Sequence, residues 1–177
     1  MQTTGTEPRR GWIALLALPL LLAGGCAATS SPERSAQVAE DVAVSRIMPS
    51  LMFEEGHAEE AMDLYASLFP GSRVERLDRW GAGEPGTEGA IKQAVLVLGA
   101  PSGQRMLFSD TSIDHGFTFT PSIAFHVDCD DEAHLQHLFE RLSEGGEVMM
   151  PPADYGFSRR FAWVSDRFGV SWQLNLP

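Results

Sequence analysis

The sequence predicts an α+β domain of two tandem βαβββ modules, forming a curved, half-barrel mixed sheet with helices on its convex side. Three observations predict it. "PSLMF" at 49–53 returns as "PSIAF" at 121–125. Each copy is followed by a helical pattern and then by three strand-like runs. The turns "APSG" at 100–103 and "DRFG" at 166–169 stand in equivalent places before the last run of each copy. The repeating unit is about 72 residues long, and one unit alone buries its sheet face poorly, whereas two together bury it well.

The chain opens with Arg9-Arg10, an apolar run over 12–22, and Ala23-Gly24-Gly25-Cys26. A basic start, a short apolar stretch and small residues before a cut mark residues 1–25 as a secretory leader. The run is shorter than the roughly 20 apolar residues of a membrane-spanning helix. "LLAGGC" resembles a bacterial lipobox, in which Cys26 becomes the acylated first residue of the mature chain. The expectation is an exported protein, lipid-anchored in the cell envelope on the periplasmic or extracellular side. Residues 26–45 are small and polar and read as a flexible tether. Residues 46–177 then make one domain of ordinary size.

The first helix is expected over 57–69, with Ala61, Leu64, Tyr65 and Leu68 on one face and Pro70-Gly71 ending it. Strands follow at 73–78, 91–98 and 104–109. The second helix is expected over 131–144, with Leu135, Leu138, Phe139 and Leu142 on one face, Asp130 as its N-cap and Gly145-Gly146 ending it. Strands follow at 147–150, 160–165 and 170–176. Alternation assigns Leu51, Phe53, Met106, Phe108, Ile123, Phe125, Trp172 and Leu174 to the face that meets the helices. The opposite set is Ser50, Met52, Arg105, Leu107, Ser122, Ala124, His126, Ser171, Gln173 and Asn175. That polar row is expected to line the concave side.

The formal net charge is −11, and loss of Glu7, Arg9 and Arg10 with the leader leaves 11 basic and 23 acidic residues, net −12. This balance excludes nucleic acid as a partner and leaves the lipid anchor as the only membrane contact. It favours neutral or cationic ligands, although Arg105 in the polar row counts against a cation. With Cys26 acylated, Cys129 has no disulfide partner and reads as a small buried filler.

Three stretches carry a resemblance: "HAEEAMDLYASLFPGS", "FTFTPSIAFHVDCDDEAHLQHLFERLSEGG" and "DYGFSRRFAWVSDRFGVSWQL". They span about residues 57–174, and the last is the most specific, through Trp163, Asp166, Phe168-Gly169 and Ser171-Trp172-Gln173. In these the sequence resembles the vicinal-oxygen-chelate superfamily of glyoxalases, bleomycin-resistance proteins and dioxygenases, and within it the PhnB-like, demethylubiquinone-methyltransferase-like branch. Metal-dependent members place His or Glu at four concave positions, on the first and last strand of each module. By the resemblance those positions read Ser50, Leu107, Ser122 and Gln173 here. Serine and leucine are not ligands for a divalent metal, and glutamine is a neutral stand-in for glutamate. No cofactor is therefore expected.

The resemblance implies metal-independent binding of a small organic molecule by Ser50, Met52, Arg105, Leu107, Ser122, His126, Trp163, Gln173 and Asn175. Phe117, Phe119 and Tyr155 are candidate aromatic walls. A homodimer is implied, as in bleomycin-resistance proteins. Two alternatives stand beside it. One is a lyase, isomerase or dioxygenase that uses His126 as base, or a divalent metal held by residues such as His126, Glu54, Asp110 and His115. The other is a dimeric structural protein. Methyl transfer draws no support from the residues: the glycine-rich 80–89 stretch joins two strands rather than a strand and a helix, and reads as a loop over the cleft mouth.

Overall fold

In the computed structural model the described residues are 46–54, 56–101 and 103–177. The expected leader, Cys26 and the tether lie outside them. The element order is β1 (Ser50–Glu54), α1 (Ala58–Leu68), β2 (Arg73–Arg79), β3 (Ile91–Leu98), β4 (Gln104–Thr111), β5 (Ala124–Asp128), α2 (Glu132–Ser143), β6 (Glu147–Ala153), β7 (Arg160–Ser165) and β8 (Ser171–Leu176). The first sheet runs β1-β4-β3-β2 and the second β5-β8-β7-β6. In each, the first strand lies parallel to the last and the other pairs are antiparallel. The α+β class and the doubled βαβββ order are those the repeat predicts, and both sheets are open.

The helices end as their chemistry dictates. Asp131, one residue after the expected Asp130, caps α2 by accepting the His134 N–H at 2.8 Å. The residue before α1, His57, offers no side-chain cap. Asp110 of β4 takes that role from across the sheet. Its Oδ1 accepts the Ala58 N–H at 2.9 Å and its Oδ2 accepts the Ile91 N–H at 2.7 Å. Helix start, strand start and β4 are thereby tied by one buried carboxylate.

Both apolar faces feed a single core. Leu51, Phe53, Met106 and Phe108 from the first sheet and Ala162, Val164, Trp172 and Leu174 from the second belong to one cluster with α1 and α2. The modules meet through aromatic rings. Tyr65 of α1 lies 4.9 Å from Trp172 of β8, Phe69 stacks on the same indole at 5.7 Å, and Phe168 touches Phe53 and Tyr65. The second sheet thus turns its apolar face towards the first module's helix. Ile123, placed by alternation in the core, is 76% exposed instead. Its N–H donates to the Thr120 carbonyl, which makes 120–123 a turn that precedes β5.

At the centre of the junction sits Asp166, 3% exposed. Its Oδ2 accepts the Tyr65 hydroxyl at 2.6 Å and the Trp172 Nε1–H at 2.9 Å. Its Oδ1 accepts the Phe168 and Val170 N–H groups at 2.9 and 3.0 Å. Burial raises its pKa above the ordinary carboxylate value, against the pull of these four donors. Burial, and then the neighbouring carboxylate, raise the Tyr65 hydroxyl well above its usual value. The outer strands are guarded: β2 carries Arg73, Glu75, Arg76, Asp78 and Arg79, and β6 carries Pro151 and Pro152.

Two outcomes follow from these buried groups. Asp166→Ala orphans two side-chain donors and two amides, and urea unfolding will show a loss of about 3 kcal/mol or more, against about 1 kcal/mol for Tyr65→Phe. Because the folded pKa of Asp166 is raised, its contribution is complete below the ordinary carboxylate pKa and lost as pH rises through the folded value. Wild-type stability measured relative to Asp166→Asn therefore falls as pH rises above about 4. Cys129 is 4% exposed, and burial, with the charges of Asp130, Asp128 and Asp131, pushes its thiol up to about 11. Iodoacetamide will leave it unmodified in the native protein at neutral pH. Its contribution to stability will decline as pH climbs from the ordinary thiol value through about 11.

Candidate functional site

Cross-strand register decides which polar residues face one another. Ser50 lies opposite Leu107, and Met52 opposite Ser109. In the second module His126 lies opposite Gln173, and Asp128 opposite Asn175. Ser122 is not on the strand: it occupies the turn before β5, its Oγ 3.2 Å from Thr120 Oγ1. The repeated Pro-Ser pair therefore has two fates. Pro49 enters a strand, its carbonyl accepting the Leu107 N–H, whereas Pro121 and Ser122 sit in the 120–123 turn. The four matched positions are Ser50, Leu107, His126 and Gln173.

The two rows lie on the outer faces of the domain, because both inner faces are committed to the shared core. Ser50, Met52, Arg105 and Leu107 belong to the outer face of the first sheet. His126, Trp163, Gln173 and Asn175 belong to the outer face of the second. Among the described residues no hydrogen bond or ion pair joins the two rows within one chain.

On the first sheet the Arg105 guanidinium grips Glu75 with two bonds, Nε to Oε2 at 2.8 Å and Nη2 to Oε1 at 2.9 Å. Beside this pair a cavity of about 480 Å³ is lined by Met48, Gln93, Val95 and Leu107, with Arg46, Glu75 and Arg76 around it. A smaller cavity of about 230 Å³ lies along β1, between Ser50, Met52 and Glu54 and the linker residues Phe117, Thr118 and Phe119. Phe119 also reaches round the edge of β1 to touch the Phe53 ring at 5.1 Å.

On the second sheet the polar row is wired together. His126 stands between two acceptors, Gln173 Oε1 at 3.4 Å from Nδ1 and Asp128 Oδ1 at 3.4 Å from Nε2. Asn175 donates to Asp128 at 2.7 Å, and this bond, with the nearby imidazole, holds the Asp128 carboxyl below its usual range. Trp163 donates its Nε1–H to Ser171 Oγ at 2.8 Å, which fixes the indole on this face. Next to the row lies an aromatic group that sequence reasoning largely missed. Phe161 is opposite Asn175, and Tyr155 and Phe157 pack edge-on against it. Only Tyr155 stood out beforehand; the alternation of Phe161 with buried Ala162 was the available signal.

The remaining candidates have structural duties. Both Asp110 oxygens hold backbone amides. His115 Nε2 lies 3.2 Å from Thr111 Oγ1, and its ring meets Phe117. Glu54 and Asp110 share a 450 Å³ cavity with Trp80, Asp114 and the start of the β4–β5 linker. The 80–89 loop is closed on itself: Trp80 N–H donates to Ala90, Gly89 N–H to Trp80, and Lys92 covers the indole at 4.9 Å. The indole leaves no room for a side chain at Gly86, whose Cβ would stand 2.3 Å from the ring. As a metal cradle the matched positions fit badly. A hydroxyl, an alkyl chain, an imidazole and an amide supply one good donor where a catalytic site uses about three. Among the described residues no three His, Cys, Asp or Glu side chains are grouped to hold a cation.

Comparisons with known proteins place this geometry. The family described as 3-demethylubiquinone-9 3-methyltransferase matches residues 45–175. The PhnB protein of Bacillus cereus is 40% identical, covers 75% of this chain and 99% of its own, and superposes with a TM-score of 0.70. The protein PA1353 of Pseudomonas aeruginosa is 29% identical over 74% of this chain and 96% of its own, with a TM-score of 0.61. A gene product of Arabidopsis thaliana shares the fold at 20% identity, covering 74% of this chain and 98% of its own, with a TM-score of 0.51. No curated protein matches the chain significantly. With one family covering all but the last residues of the described domain, the chain belongs to the PhnB-like, 3-demethylubiquinone-9 3-methyltransferase family.

Proposed function

We propose that this protein binds a small organic molecule on the outer faces of its sheets, without a resident metal, while tethered to a membrane of the cell envelope through Cys26. The observation that carries the reading is the chemistry of the four matched positions. Ser50, Leu107, His126 and Gln173 offer hydrogen bonds and apolar contact but only one strong metal donor. The cavities along β1 and β4 have apolar floors and polar rims, as small-molecule sites do.

A second copy of the chain completes the site in this reading. Its support is the separation of the two rows onto different faces, together with Met52, Phe117 and Ile123, which stand 38%, 66% and 76% exposed beside them. A homodimer that sets one chain's first sheet against its partner's second sheet would give one hollow lined by both rows. The methyltransferase name belongs to the family. In this chain the glycine-rich loop is closed on Trp80 and leads into β3, so the pattern that cradles a methyl donor's nucleoside is not among the described residues.

One observation favours a second reading, in which His126 acts as a general base. Asp128, itself fixed by Asn175, stands where it would orient the imidazole.

Native mass spectrometry of the full chain, extracted gently from its host, tests the first reading. The expected result is a dimer carrying an organic mass and no stoichiometric metal. Tightly held zinc, iron, nickel or manganese would overturn it in favour of a metal-dependent lyase, isomerase or dioxygenase. If Gln173→Ala shifts the subunit number while leaving the bound mass in place, the row is an assembly surface. The anchor is checked separately: Cys26→Ser will move the protein out of the acylated membrane fraction.

A further inference from the structure

The outer face of the first sheet has a charge pattern opposite to that of the chain. Register puts Arg73, Val97 and Arg105 in one cross-strand line, and Arg76, Val95, Leu107 and Ser50 in the next. Arg46 stands at the rim of the same 480 Å³ cavity. Four arginines thus gather against Glu75 and Asp78 in a protein whose formal net charge is −11.

The arginines are not equally engaged. Arg105 is engaged by its two bonds to Glu75, and Arg76 is paired with Asp78 at 2.6 Å. Arg46 and Arg73 have no hydrogen bond or ion pair among the described residues. Both nevertheless act on Glu75, whose carboxyl is held low first by Arg105 and then further by these two cations. They are therefore close to the acid without being neutralised by it. Arg46 lines a cavity whose floor is Val95, Leu107 and Met48, with Gln93 as a hydrogen-bonding amide, and Arg73 stands one register line away, opposite Val97.

Two guanidinium groups without a salt bridge among the described residues, beside an apolar floor, have a specific chemical complement. We infer that the outer face of the first sheet takes an amphipathic organic anion, its carboxylate or similar head group against Arg46 and Arg73 and its apolar body on Val95 and Leu107. Planar guanidinium groups with several donors suit an oxyanion, and an exposed cation pair beside an apolar floor discriminates by charge as well as by shape. This inference rests on the small-molecule reading above and names the ligand class for that site. It reverses the preference that net charge alone suggests. Coulomb energy falls with distance and salt, so local arginines outweigh acids on remote surfaces. The same overall charge opposes docking on an anionic bilayer, which makes a free solute the occupant.

The test uses the full chain carrying Cys26→Ser, so that no acyl group competes, and three probes of equal chain length: octanoate, octan-1-ol and octyltrimethylammonium. Isothermal titration calorimetry at low salt will show octanoate binding at least tenfold more tightly than octanol, and the cation more weakly than octanol. In the Arg46→Gln/Arg73→Gln variant, octanoate will fall to within twofold of octanol while octanol itself is unchanged. If the three probes bind alike, or the cation binds best, the anion assignment is overturned and small-molecule binding stands. If none of them binds, the small-molecule reading falls with it. A final arm offers vesicles of phosphatidylglycerol and phosphatidylcholine. No association is expected, and Arg46- and Arg73-dependent capture of the vesicles would overturn the free-solute assignment in favour of a membrane surface.

Discussion

The arrangement of this domain depends on one buried carboxylate. Asp166 gathers a tyrosine hydroxyl from the first module, an indole N–H from the last strand, and two amides of its own turn. Removing any one donor leaves a satisfied group with fewer bonds, whereas removing the acceptor strands four. The aromatic rings around it supply the apolar area that makes the junction favourable, but rings alone pack in several orientations. Hydrogen bonds to a single acceptor select one. That selection favours one choice of which faces of the two sheets turn inward, and hence which residues are left on the outer faces.

The repeat, the two helices and the strand faces were legible because they depend on local periodicity. Leu135, Leu138 and Leu142 are buried, as are Phe53, Phe108, Trp172 and Leu174, as alternation and helical spacing require. The polar row was legible as a row. What local pattern does not encode is the packing of one module on the other, so a hollow enclosed by both rows of a single chain could not be read from it. The register of β5 was obscured by a repeated Pro-Ser pair whose second copy forms a turn, which moved the partner of Gln173 from Ser122 to His126. Asp110 looked like a ligand for a cation because its role as a remote helix cap leaves no trace at the helix start, where His57 stands. The pairing of Arg105 with Glu75 spans 30 residues and passes through an irregular strand register, beyond the reach of a linear pattern.

The chemistry left on the two outer faces differs in kind. One offers arginines over aliphatic residues; the other offers an imidazole, two amides and a carboxylate next to aromatic rings. Neither resembles a cation cradle, and both depend on hydrogen-bond geometry that a few substitutions would change without disturbing the core. A duplicated scaffold therefore separates what holds it together from what it recognises, and each face can diverge independently.

The outer strands have a further consequence. In each sheet the far edge is unsuited to pairing with another strand, by charge in β2 and by Pro151 and Pro152 in β6. The opposite edges, β1 and β5, carry no such guard but are only five residues long. Continuous growth of one sheet needs two receptive flanks on that sheet, and here each sheet has one short one. Strand addition at either sheet therefore stops after one partner strand.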